Sequence, residues 1–327
     1  MNWNGTRILV TGAGGFIGSH LTERLVELGA TTRALVRYNS SGSWGWLDRS
    51  PLKDEVEVML GDVRDRESLR QAMEGTHLVF HLAALIGIPY SYHAPVAYVR
   101  TNIEGTLNVL QTALEAGAKL VVQTSTSEVY GTARYVPIDE AHPLQSQSPY
   151  AASKIGADQM AEAFHRSYGL PVTTVRPFNT FGPRQSARAV VPTIIAQCLM
   201  GRAVRLGNLN PSRDLNYVAN TVEGYVRAAQ TEAAIGQTFN LGSGREIRVD
   251  ALARLIGELT EVPVEIEHDE ARVRPASSEV ERLLADSRAA AEVLGWSPTV
   301  TLEEGLRLTV EWMREHLDGY RPSVYVL

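Results

Sequence analysis

Cysteine is almost absent from this chain, in which Cys198 is the single one among 327 residues. A lone cysteine cannot close an intramolecular disulfide and excludes a cysteine-rich metal site, so we expect no metal centre. Its neighbours in the sequence are Ile194, Ile195, Leu199 and Met200. In such surroundings we expect a small buried apolar residue and not a nucleophile.

Long apolar runs and blocks of positive charge are missing as well. No apolar run approaches the ~18 residues of a membrane-spanning helix, and the N-terminus has no signal-peptide core. The formal net charge is −6, which argues against nucleic acid or an anionic membrane as the main partner. We therefore predict a cytosolic globular protein, with 44% hydrophobic residues available for its core.

Short apolar strands alternate with amphipathic helices through the first half of the chain. One helix is expected over Phe16–Leu28 and another over about Val96–Ala116, each followed by a glycine that ends it. This alternation predicts an α/β fold with a parallel sheet covered on both faces. The predicted strands are Arg7–Thr11, Thr32–Val36, Val56–Leu60, Leu78–Leu82, Leu120–Gln123, Val172–Arg176 and Thr238–Leu241.

A glycine-rich turn lies between the first strand and the first helix. Gly12, Gly15 and Gly18, with Phe16 and Ile17 between them, have the spacing of a dinucleotide-binding turn. The glycines let the backbone approach a pyrophosphate, and the helix N-terminus offers free N–H groups and a positive dipole end. Because strand, turn and helix follow in the required order, we predict a Rossmann-type doubly wound sheet that binds a nicotinamide dinucleotide.

Strand two has no carboxylate at its end, where NAD sites usually hold the adenosine ribose. Arg37 stands there, and a guanidinium suits a 2′-phosphate, so we expect NAD or NADP with NADP slightly favoured. A solvated surface arginine is the alternative. Asp62 and Val63 follow strand three; Asp62 is expected to hold the adenine amino group, with a plain loop cap as the alternative.

Tyr150 and Lys154 are four residues apart, just after Ser148 and Pro149, which form a good helix start. The spacing puts both side chains on one helical face. A lysine charge, together with an oxidised nicotinamide, would lower the tyrosine pKa from ~10 toward neutrality, as a general base requires. We predict that this pair catalyses proton transfer.

Prolines interrupt the pattern after Pro177. We predict that residues 1–179 plus about 216–241 form the dinucleotide-binding domain. About 180–215 plus 242–327 would form a smaller mixed lobe that binds the substrate.

With these motifs the chain resembles the extended short-chain dehydrogenase/reductase family, whose members act mostly on nucleotide sugars. The resemblance implies that Thr126 completes a Thr–Tyr–Lys catalytic set, and that Asn179 and Arg213 grip the substrate's diphosphate, with a surface salt bridge as the alternative for Arg213. It also implies cofactor contacts by Leu82, Ala83, Ala84 and Thr124, a substrate contact by Ser127, and cofactor-lining segments that contain His81 and Asn102. The motifs that carry it are Thr11–Gly18, Gly61–Val63, His81–Ala84, Thr101–Asn102, Ser125–Gly131, Tyr150/Lys154, Arg176–Asn179 and Ser212–Asp214.

Glu128, between Thr126 and Tyr130-Gly131, distinguishes the reactions of this family. Oxidation at C4 acidifies the sugar's C5 proton, and a carboxylate could remove it and help to expel the C6 hydroxyl as water. This segment is similar to that of GDP-mannose 4,6-dehydratases, and equally to that of UDP-glucuronate decarboxylases. A solvated strand-end acid is the alternative for Glu128.

Two further segments favour the dehydratase. Residues 37–46 and 85–92 resemble those of dehydratases in the legionaminic-acid pathway, which act on nucleotide-linked N-acetylglucosamine. Pro89 and Tyr90 would pack on the sugar, in a loop that is poor at holding a uronate carboxylate. Trp44 and Trp46 are expected to cover the adenine or the sheet edge more than to contact substrate.

We therefore predict a nucleotide-sugar 4,6-dehydratase. UDP-glucuronate decarboxylase, nucleotide-sugar 4-epimerase and a non-catalytic dinucleotide-binding regulator are the alternatives. By the same resemblance we expect a homodimer, packed through the helices after Pro95 and around Tyr150. The alanines that we expect on the exposed faces of these helices are Ala151, Ala152, Ala157, Ala161 and Ala163.

Overall fold

The structure is a computed structural model that describes residues 3–320. Seven strands form one sheet in the order β10-β6-β5-β4-β1-β2-β3, and every neighbouring pair is parallel. These strands are β1 Arg7–Thr11, β2 Thr31–Arg37, β3 Glu57–Gly61, β4 Leu78–His81, β5 Leu120–Thr124, β6 Val172–Pro177 and β10 Thr238–Leu241. The predicted Rossmann-type sheet is confirmed, and the predicted strand ends agree with the observed ones to within one residue.

Helices cover both faces of this sheet. On one face, apolar side chains from β1, β2 and β4 pack against the first helix and the helix that begins at Val218. On the other face, apolar side chains pack against the helices that begin at Arg66, Gly105 and Pro149. The helices are α1 Phe16–Glu27, α2 Arg66–Met73, α3 Ile88–His93, α4 Pro95–Tyr98, α5 Gly105–Glu115, α6 Pro149–Tyr168, α7 Val190–Leu199, α8 Val218–Gln230, α9 Val249–Thr260, α10 Arg288–Leu294 and α11 Leu302–Glu315.

The continuous helix predicted over Val96–Ala116 is wrong in its middle. Residues Val99–Glu104 form a π-helical segment between α4 and α5. Asn102 lies in it, and its side chain bonds to both backbone groups of Leu85 at 2.8 and 2.9 Å and to Ser153 at 2.9 Å. The wider turn thus aims a buried amide at the loop after β4, a tertiary requirement that apolar periodicity does not reveal.

Smaller sheets build the second part of the molecule. Strand β9 pairs parallel with β7 and β13 and antiparallel with β11, while β12 pairs with β8. Their core is formed by α7, α9 and α11, and Cys198 lies buried in it. The strands are β7 Asn179–Phe181, β8 Val204–Leu206, β9 Ser212–Tyr217, β11 Glu246–Arg248, β12 Ile266–His268 and β13 Arg282–Leu283.

The predicted division into two domains stays a prediction, and two stretches assigned to it, residues 1–2 and 321–327, lie outside the described residues. Within residues 3–320, no helix has the length and apolarity to cross a membrane. No group of His, Cys, Asp and Glu in that range could hold a metal ion. The cytosolic location stays a prediction.

The alanines of α6 are less exposed than predicted. Ala151, Ala157 and Ala161 are buried within the protein, and Ala152 and Ala163 lie on the exposed face. The prediction was wrong for the first three because α6 packs against β6 and the segment before α5, so its small residues serve the chain's own core.

Candidate active site

A cleft of about 1750 Å³ lies between the carboxyl ends of the parallel strands and the smaller sheets. In a doubly wound sheet this is where ligands bind. The cleft brings together every residue predicted to contact cofactor or substrate: Gly12, Gly15, Phe16, Ile17, Gly18, Arg37, Asp62, Val63, Leu82, Ala83, Ala84, Pro89, Tyr90, Thr124, Thr126, Ser127, Glu128, Tyr150, Lys154, Asn179 and Arg213.

The glycine turn has the geometry of a phosphate cradle. Gly12 has φ +70°, and a Cβ there would lie 2.8 Å from the Ala83 nitrogen. A Cβ on Gly18 would lie 2.2 Å from the Gly12 oxygen. Gly15 is the N-cap of α1 and offers no side-chain cap, so the first N–H groups of the helix are available to an anion. These residues fit the pyrophosphate of a dinucleotide.

Gly14 is a glycine of this turn that the motif spacing did not single out. A Cβ there would lie 2.4 Å from the Trp44 carbonyl oxygen, and the Trp46 N–H donates to the Gly14 carbonyl at 3.0 Å. The segment after β2 therefore packs directly on the dinucleotide turn. Trp44 packs against the core and Trp46 lines the cleft, which agrees with their predicted role as a cover.

The ends of β2 and β3 line the part of the cleft that continues from the glycine turn. Arg37 is exposed there, near Asn39, Ser41 and Ser43. Asp62 accepts hydrogen bonds from the backbone and side chain of Arg64 at 2.6 to 3.0 Å, and these bonds hold the pKa of its carboxyl below the usual range. Asp62 thus caps its own loop, as the alternative interpretation expected, and it also lines the cleft, while its contact with the adenine stays a prediction.

Tyr150 and Lys154 are carried by α6, whose N-cap Ser148 accepts a hydrogen bond from the Ala151 N–H at 3.1 Å, as the start signal predicted. Both side chains are buried. Burial raises the pKa of Tyr150 above its ordinary value, while a hydrogen bond with Thr126 lowers it. Burial also lowers the pKa of Lys154 to about 8. The predicted acidic tyrosine is therefore not built into the protein alone, and depends on positive charge beside the phenol.

The turn after β5 places the remaining catalytic candidates. Thr126 accepts from the Glu128 N–H at 3.2 Å, and Lys154 donates from Nζ to the Thr124 carbonyl at 2.6 Å. Glu128 is 9% exposed, and its charge acts on both Tyr150 and Arg213. A buried carboxylate thus lies between the phenol and the guanidinium, and it is not a solvated strand-end acid.

His81 and Asn102 lie beneath the cleft, and the segments that contain them line it through neighbours such as Ala83 and Thr101. His81 is buried and bonds through Nδ1 to Thr11 Oγ1 at 2.8 Å and through Nε2 to Thr106 Oγ1 at 3.1 Å. Thr11 Oγ1 in turn accepts from the Ala83 N–H at 3.1 Å. His81 therefore supports the strand ends that carry the cofactor-lining residues.

Arg213 is largely buried and donates to Glu279 at 3.2 Å. The salt bridge considered as the alternative is present, and Arg213 still lines the cleft. Arg274 shares Glu279 at 3.8 Å. Three polar atoms of cleft residues, Asn179 Oδ1, Gln185 Oε1 and Arg274 Nη1, are buried without a hydrogen-bond partner among residues 3–320. Unsatisfied groups of this kind fit a polar ligand in the cleft.

Most of the positive charge on this side escaped the sequence analysis. We call it the arginine wall; it consists of Arg184, Arg188, Arg213, Arg272 and Arg274, all of which line the cleft. These residues are spread over two connecting segments and one strand, so no spacing in the sequence signals that they meet. Excess arginines in an acidic chain were the one available clue, and that clue does not say which of them face the cleft.

Comparison with known proteins identifies the family of this chain. A GDP-mannose 4,6 dehydratase family model matches residues 9–309. The chain is similar to UDP-glucose 4-epimerase of Mycolicibacterium smegmatis, at 35% identity over 94% of this chain and 98% of the relative. It is also similar to UDP-glucuronic acid decarboxylase 1 of Xenopus tropicalis, at 31% identity over 98% of this chain and 75% of the relative.

A solved structure has the same architecture. DesIV of Streptomyces venezuelae, a dTDP-glucose 4,6-dehydratase with NAD and TYD bound, superposes with a TM-score of 0.87 at 30% identity, covering 97% of this chain and 99% of that chain. The glycine turn, the cleft and the matched proteins agree on a nicotinamide dinucleotide cofactor and a nucleotide-sugar substrate. The chain is an enzyme of the extended short-chain dehydrogenase/reductase family, in its group of nucleotide-sugar epimerases, dehydratases and decarboxylases.

Proposed function

We propose that this enzyme is a nucleotide-sugar 4,6-dehydratase. The observation that carries the proposal is Glu128, a buried carboxylate in the cleft whose charge acts on Tyr150. A reaction confined to C4 needs the Thr126, Tyr150 and Lys154 set alone. Dehydration also needs a group that removes the C5 proton, and Glu128 is a carboxylate available for it.

The chain's own residues divide the proton transfers. Tyr150 accepts the O4 proton, aided by Thr126 and by the positive charge of Lys154. Glu128 then removes the C5 proton and delivers it to the C6 hydroxyl, which leaves as water, and a proton from solvent is added at C5 when C6 is reduced. A nicotinamide dinucleotide, when bound, would supply the redox chemistry at C4 and C6. Gly12, Gly15 and Gly18 would hold its pyrophosphate, and the smaller sheets would exclude water.

One observation favours UDP-glucuronate decarboxylation as a second candidate. Arg188 Nη1 lies 3.0 Å from the position of a Cβ on Gly87, in the loop expected to contact the sugar. Its hydrogen bonds within residues 3–320 go to Ser186, at 3.3 and 3.4 Å. A uronate carboxylate would pair with this cation, whereas the neutral C6 hydroxyl of a dehydratase substrate would not need it.

The products distinguish these reactions. We would incubate the enzyme in deuterated water with UDP-, GDP- and dTDP-linked glucose, mannose and N-acetylglucosamine, and separately with UDP-glucuronate. A dehydratase yields a 4-keto-6-deoxy sugar labelled at C5. Release of CO2 from UDP-glucuronate without that product would replace our proposal by the second candidate, and an unlabelled 4-epimer would indicate an epimerase. Retained cofactor without turnover of any of these sugars would indicate the non-catalytic regulator.

Glu128→Gln tests the residue that carries the proposal. We expect loss of the labelled product with unchanged cofactor binding. Glu140→Gln is the matched control, because Glu140 is a partly buried carboxylate outside the cleft that accepts from the Asn240 N–H at 2.7 Å. Unchanged turnover in Glu128→Gln would remove Glu128 from the mechanism.

For the cofactor we propose that Arg37 faces the 2′ position of the adenosine ribose and favours NADP⁺ over NAD⁺. Support comes from the absence of a carboxylate at the end of β2 and from the exposure of Arg37 in the cleft lining. Fluorescence titration should show that NADP⁺ binds more tightly than NAD⁺. Arg37→Met should remove this preference, whereas Arg70→Met, at an exposed position on α2, should retain it. A clear preference of the unaltered enzyme for NAD⁺ would refute this assignment.

We also propose a homodimer through α4, α5 and α6. Val96 and Val99 are 61% and 51% exposed beside the exposed alanines of α6, Ala152 and Ala163. In sedimentation velocity, Val96→Glu/Val99→Glu should shift a dimer toward monomer. Val273→Glu, 45% exposed on the smaller sheets' side, should leave the dimer intact. A monomeric unaltered protein would contradict the proposal.

A further inference from the structure

A buried ion pair lies directly behind the proposed catalytic residues. Arg176 on β6 donates from Nη2 to Asp158 Oδ2 on α6 at 3.2 Å, and the two side chains are 7% and 4% exposed. The same Oδ2 accepts from Ser125 Oγ at 2.6 Å. Asp158 Oδ1 is buried and has no hydrogen-bond partner among residues 3–320. Part of this carboxylate's negative charge is therefore not matched by donors.

Stability is a poor explanation for this arrangement. Desolvation of two buried charges offsets their attraction, and a well-packed apolar pair is often at least as stable. Arg176 has other partners as well, because Nη1 donates to the Tyr130 hydroxyl at 2.9 Å and its guanidinium lies 5.0 Å from the centre of that ring. What depends on Asp158 in particular is the turn after β5 and the charge on Lys154.

Thr124, the last residue of β5, and the next two residues, Ser125 and Thr126, each make a different hydrogen bond. Lys154 bonds to the Thr124 carbonyl, Asp158 to the Ser125 hydroxyl, and Thr126 caps Glu128. The middle anchor ties the turn to α6, the helix that carries Tyr150 and Lys154. The Ser125–Asp158 bond thus sets the distance between the Thr126/Glu128 turn and the Tyr150/Lys154 pair.

The charge on Lys154 needs support because its surroundings are apolar and largely neutral. Burial lowers the pKa of Lys154 to about 8, and the Asp158 charge raises it. Burial lowers the pKa of His81 to about 3, so this neighbour is neutral near pH 7. The titratable and charged groups around Lys154 and Tyr150 are His81 on β4, Tyr98 on α4, Glu128 in the turn, Asp158 on α6, Arg176 on β6 and Tyr225 on α8.

We propose that Asp158 is a positioning residue of the active site: one helical turn beyond Lys154, it keeps that lysine protonated and anchors Ser125 so that Thr126 and Glu128 face Tyr150. This inference rests on the proposed roles of Tyr150 and Lys154. It adds a charge and a geometric constraint from a residue that lies outside the cleft lining.

The chain offers a direct test that needs no substrate. It contains three lysines, Lys53, Lys119 and Lys154, so lysine labelled with ¹³C at Cε gives few NMR signals, and Lys154→Met identifies the buried one. In the protein as purified, the Lys154 signal should titrate near pH 8. In Asp158→Asn its pKa should be lower by about 1. An unchanged Lys154 titration in Asp158→Asn would overturn the charge role.

Two variants separate charge from position. Ser125→Ala removes the anchor and keeps the carboxylate, so the Lys154 titration should stay at the unaltered value while turnover falls with KM unchanged. Asp158→Glu keeps the charge and should restore the titration. If Asp158→Asn does not fold because Arg176 is left unpaired, Asp158→Asn/Arg176→Gln is compared with Arg176→Gln alone, and the Lys154 pKa should be lower in the double variant. Equal Lys154 titrations in these two variants would equally overturn the proposal.

Turnover supplies the second readout once a substrate is found. Because Lys154 must be protonated, the alkaline loss of kcat should begin at lower pH in Asp158→Asn than in the unaltered enzyme, in step with the NMR titration. Ser125→Ala should keep the alkaline limb and lower the plateau. An Asp158→Asn profile that keeps the original alkaline limb while the Lys154 signal shifts would show that Lys154 does not govern turnover. The proposed function and the charge assignment can thus fail separately.

Discussion

The two walls of the cleft recognise ligands in different ways. One wall, which we call the strand-end wall, consists of the glycine turn Gly12–Gly18 and the side chains at the ends of the parallel strands. Its groups are backbone N–H donors and buried side chains held by short hydrogen bonds, such as that from Lys154 to the Thr124 carbonyl at 2.6 Å. The arginine wall instead presents guanidinium groups, with Glu279 as a shared partner for Arg213 and Arg274. Recognition by backbone N–H groups needs a ligand that comes close to the main chain and residues that follow one another in the sequence. Recognition by charge needs only side chains that converge, from any position in the sequence.

The difference predicts a division of labour. Changes on the strand-end wall should affect chemistry and cofactor, and changes on the arginine wall should affect the affinity for the sugar's diphosphate. Arg184 joins the two walls, since it pairs with Glu23 of α1 at 2.9 Å. Trp46, which lines the cleft, also contacts Trp312 on α11, with ring centres 5.5 Å apart.

The largest effect is expected for Tyr150→Phe, which removes the proton acceptor and keeps the ring. Turnover should fall by about 10²- to 10⁴-fold, the range for loss of a general base, while the cofactor and nucleotide-sugar affinities stay near their original values. Steady-state kinetics and cofactor titration check both halves. Tyr168→Phe, 62% exposed at the end of α6, is the control. A large loss of substrate affinity without loss of turnover would break the comparison.

Removing charge from the arginine wall should have a smaller and different effect. Each of Arg213→Met and Arg274→Met should weaken nucleotide-sugar binding by about 10- to 100-fold, the range for one hydrogen bond to a charged group. Cofactor affinity should not change. Isothermal titration with a nucleoside diphosphate measures this, with Arg205→Met, exposed on β8, as control. Equal loss of cofactor affinity would show that the walls are not separate.

The residues beneath the strand-end wall should also carry a pH-dependent part of stability. Burial lowers the pKa of His81 to about 3 from 6.5, so between these pH values the unfolded chain binds a proton at His81 that the folded chain does not bind. This contribution to the free energy of unfolding is complete above pH 6.5 and is lost as pH falls toward 3. At pH 5 the loss is about 2 kcal/mol. Urea unfolding at pH 7 and pH 5 should show a smaller pH effect in His81→Asn. Exposed His268→Asn should keep the original difference.

The smallest effect is expected for the ring contact between Trp46 and Trp312. The Trp46–Trp312 contact should be worth about 0.5–1.5 kcal/mol, so Trp46→Ala should speed cofactor release by about 2- to 10-fold. Trp312→Ala should do the same, and the double variant should lose little more, because both remove one contact. Stopped-flow release of the bound cofactor measures the rates. Additive losses would mean that the two rings act independently.

Several parts of this site could be predicted from local sequence. The glycine turn, the strand ends and the Tyr150/Lys154 spacing depend on neighbours within about 20 residues, where helix and strand geometry determines which side chains share a face. The Arg188 position beside Gly87 could not be predicted this way, because the two residues are 101 positions apart and meet only through folding. The π-helical segment at Asn102 escaped for a related reason, since its cause is a hydrogen bond to Leu85.

By itself the sequence determined the parallel sheet and the dinucleotide turn, since each follows from short-range spacing, and the resemblance to the family indicated a carboxylate, Glu128, beside the predicted catalytic tyrosine. Only the tertiary structure decided that His81 and Asp158 lie behind the cleft, that Tyr150 is buried enough to need a positive charge, and that five arginines form one wall. The physical reason is that burial and electrostatic coupling depend on which distant segments pack together, and packing is a property of the whole fold.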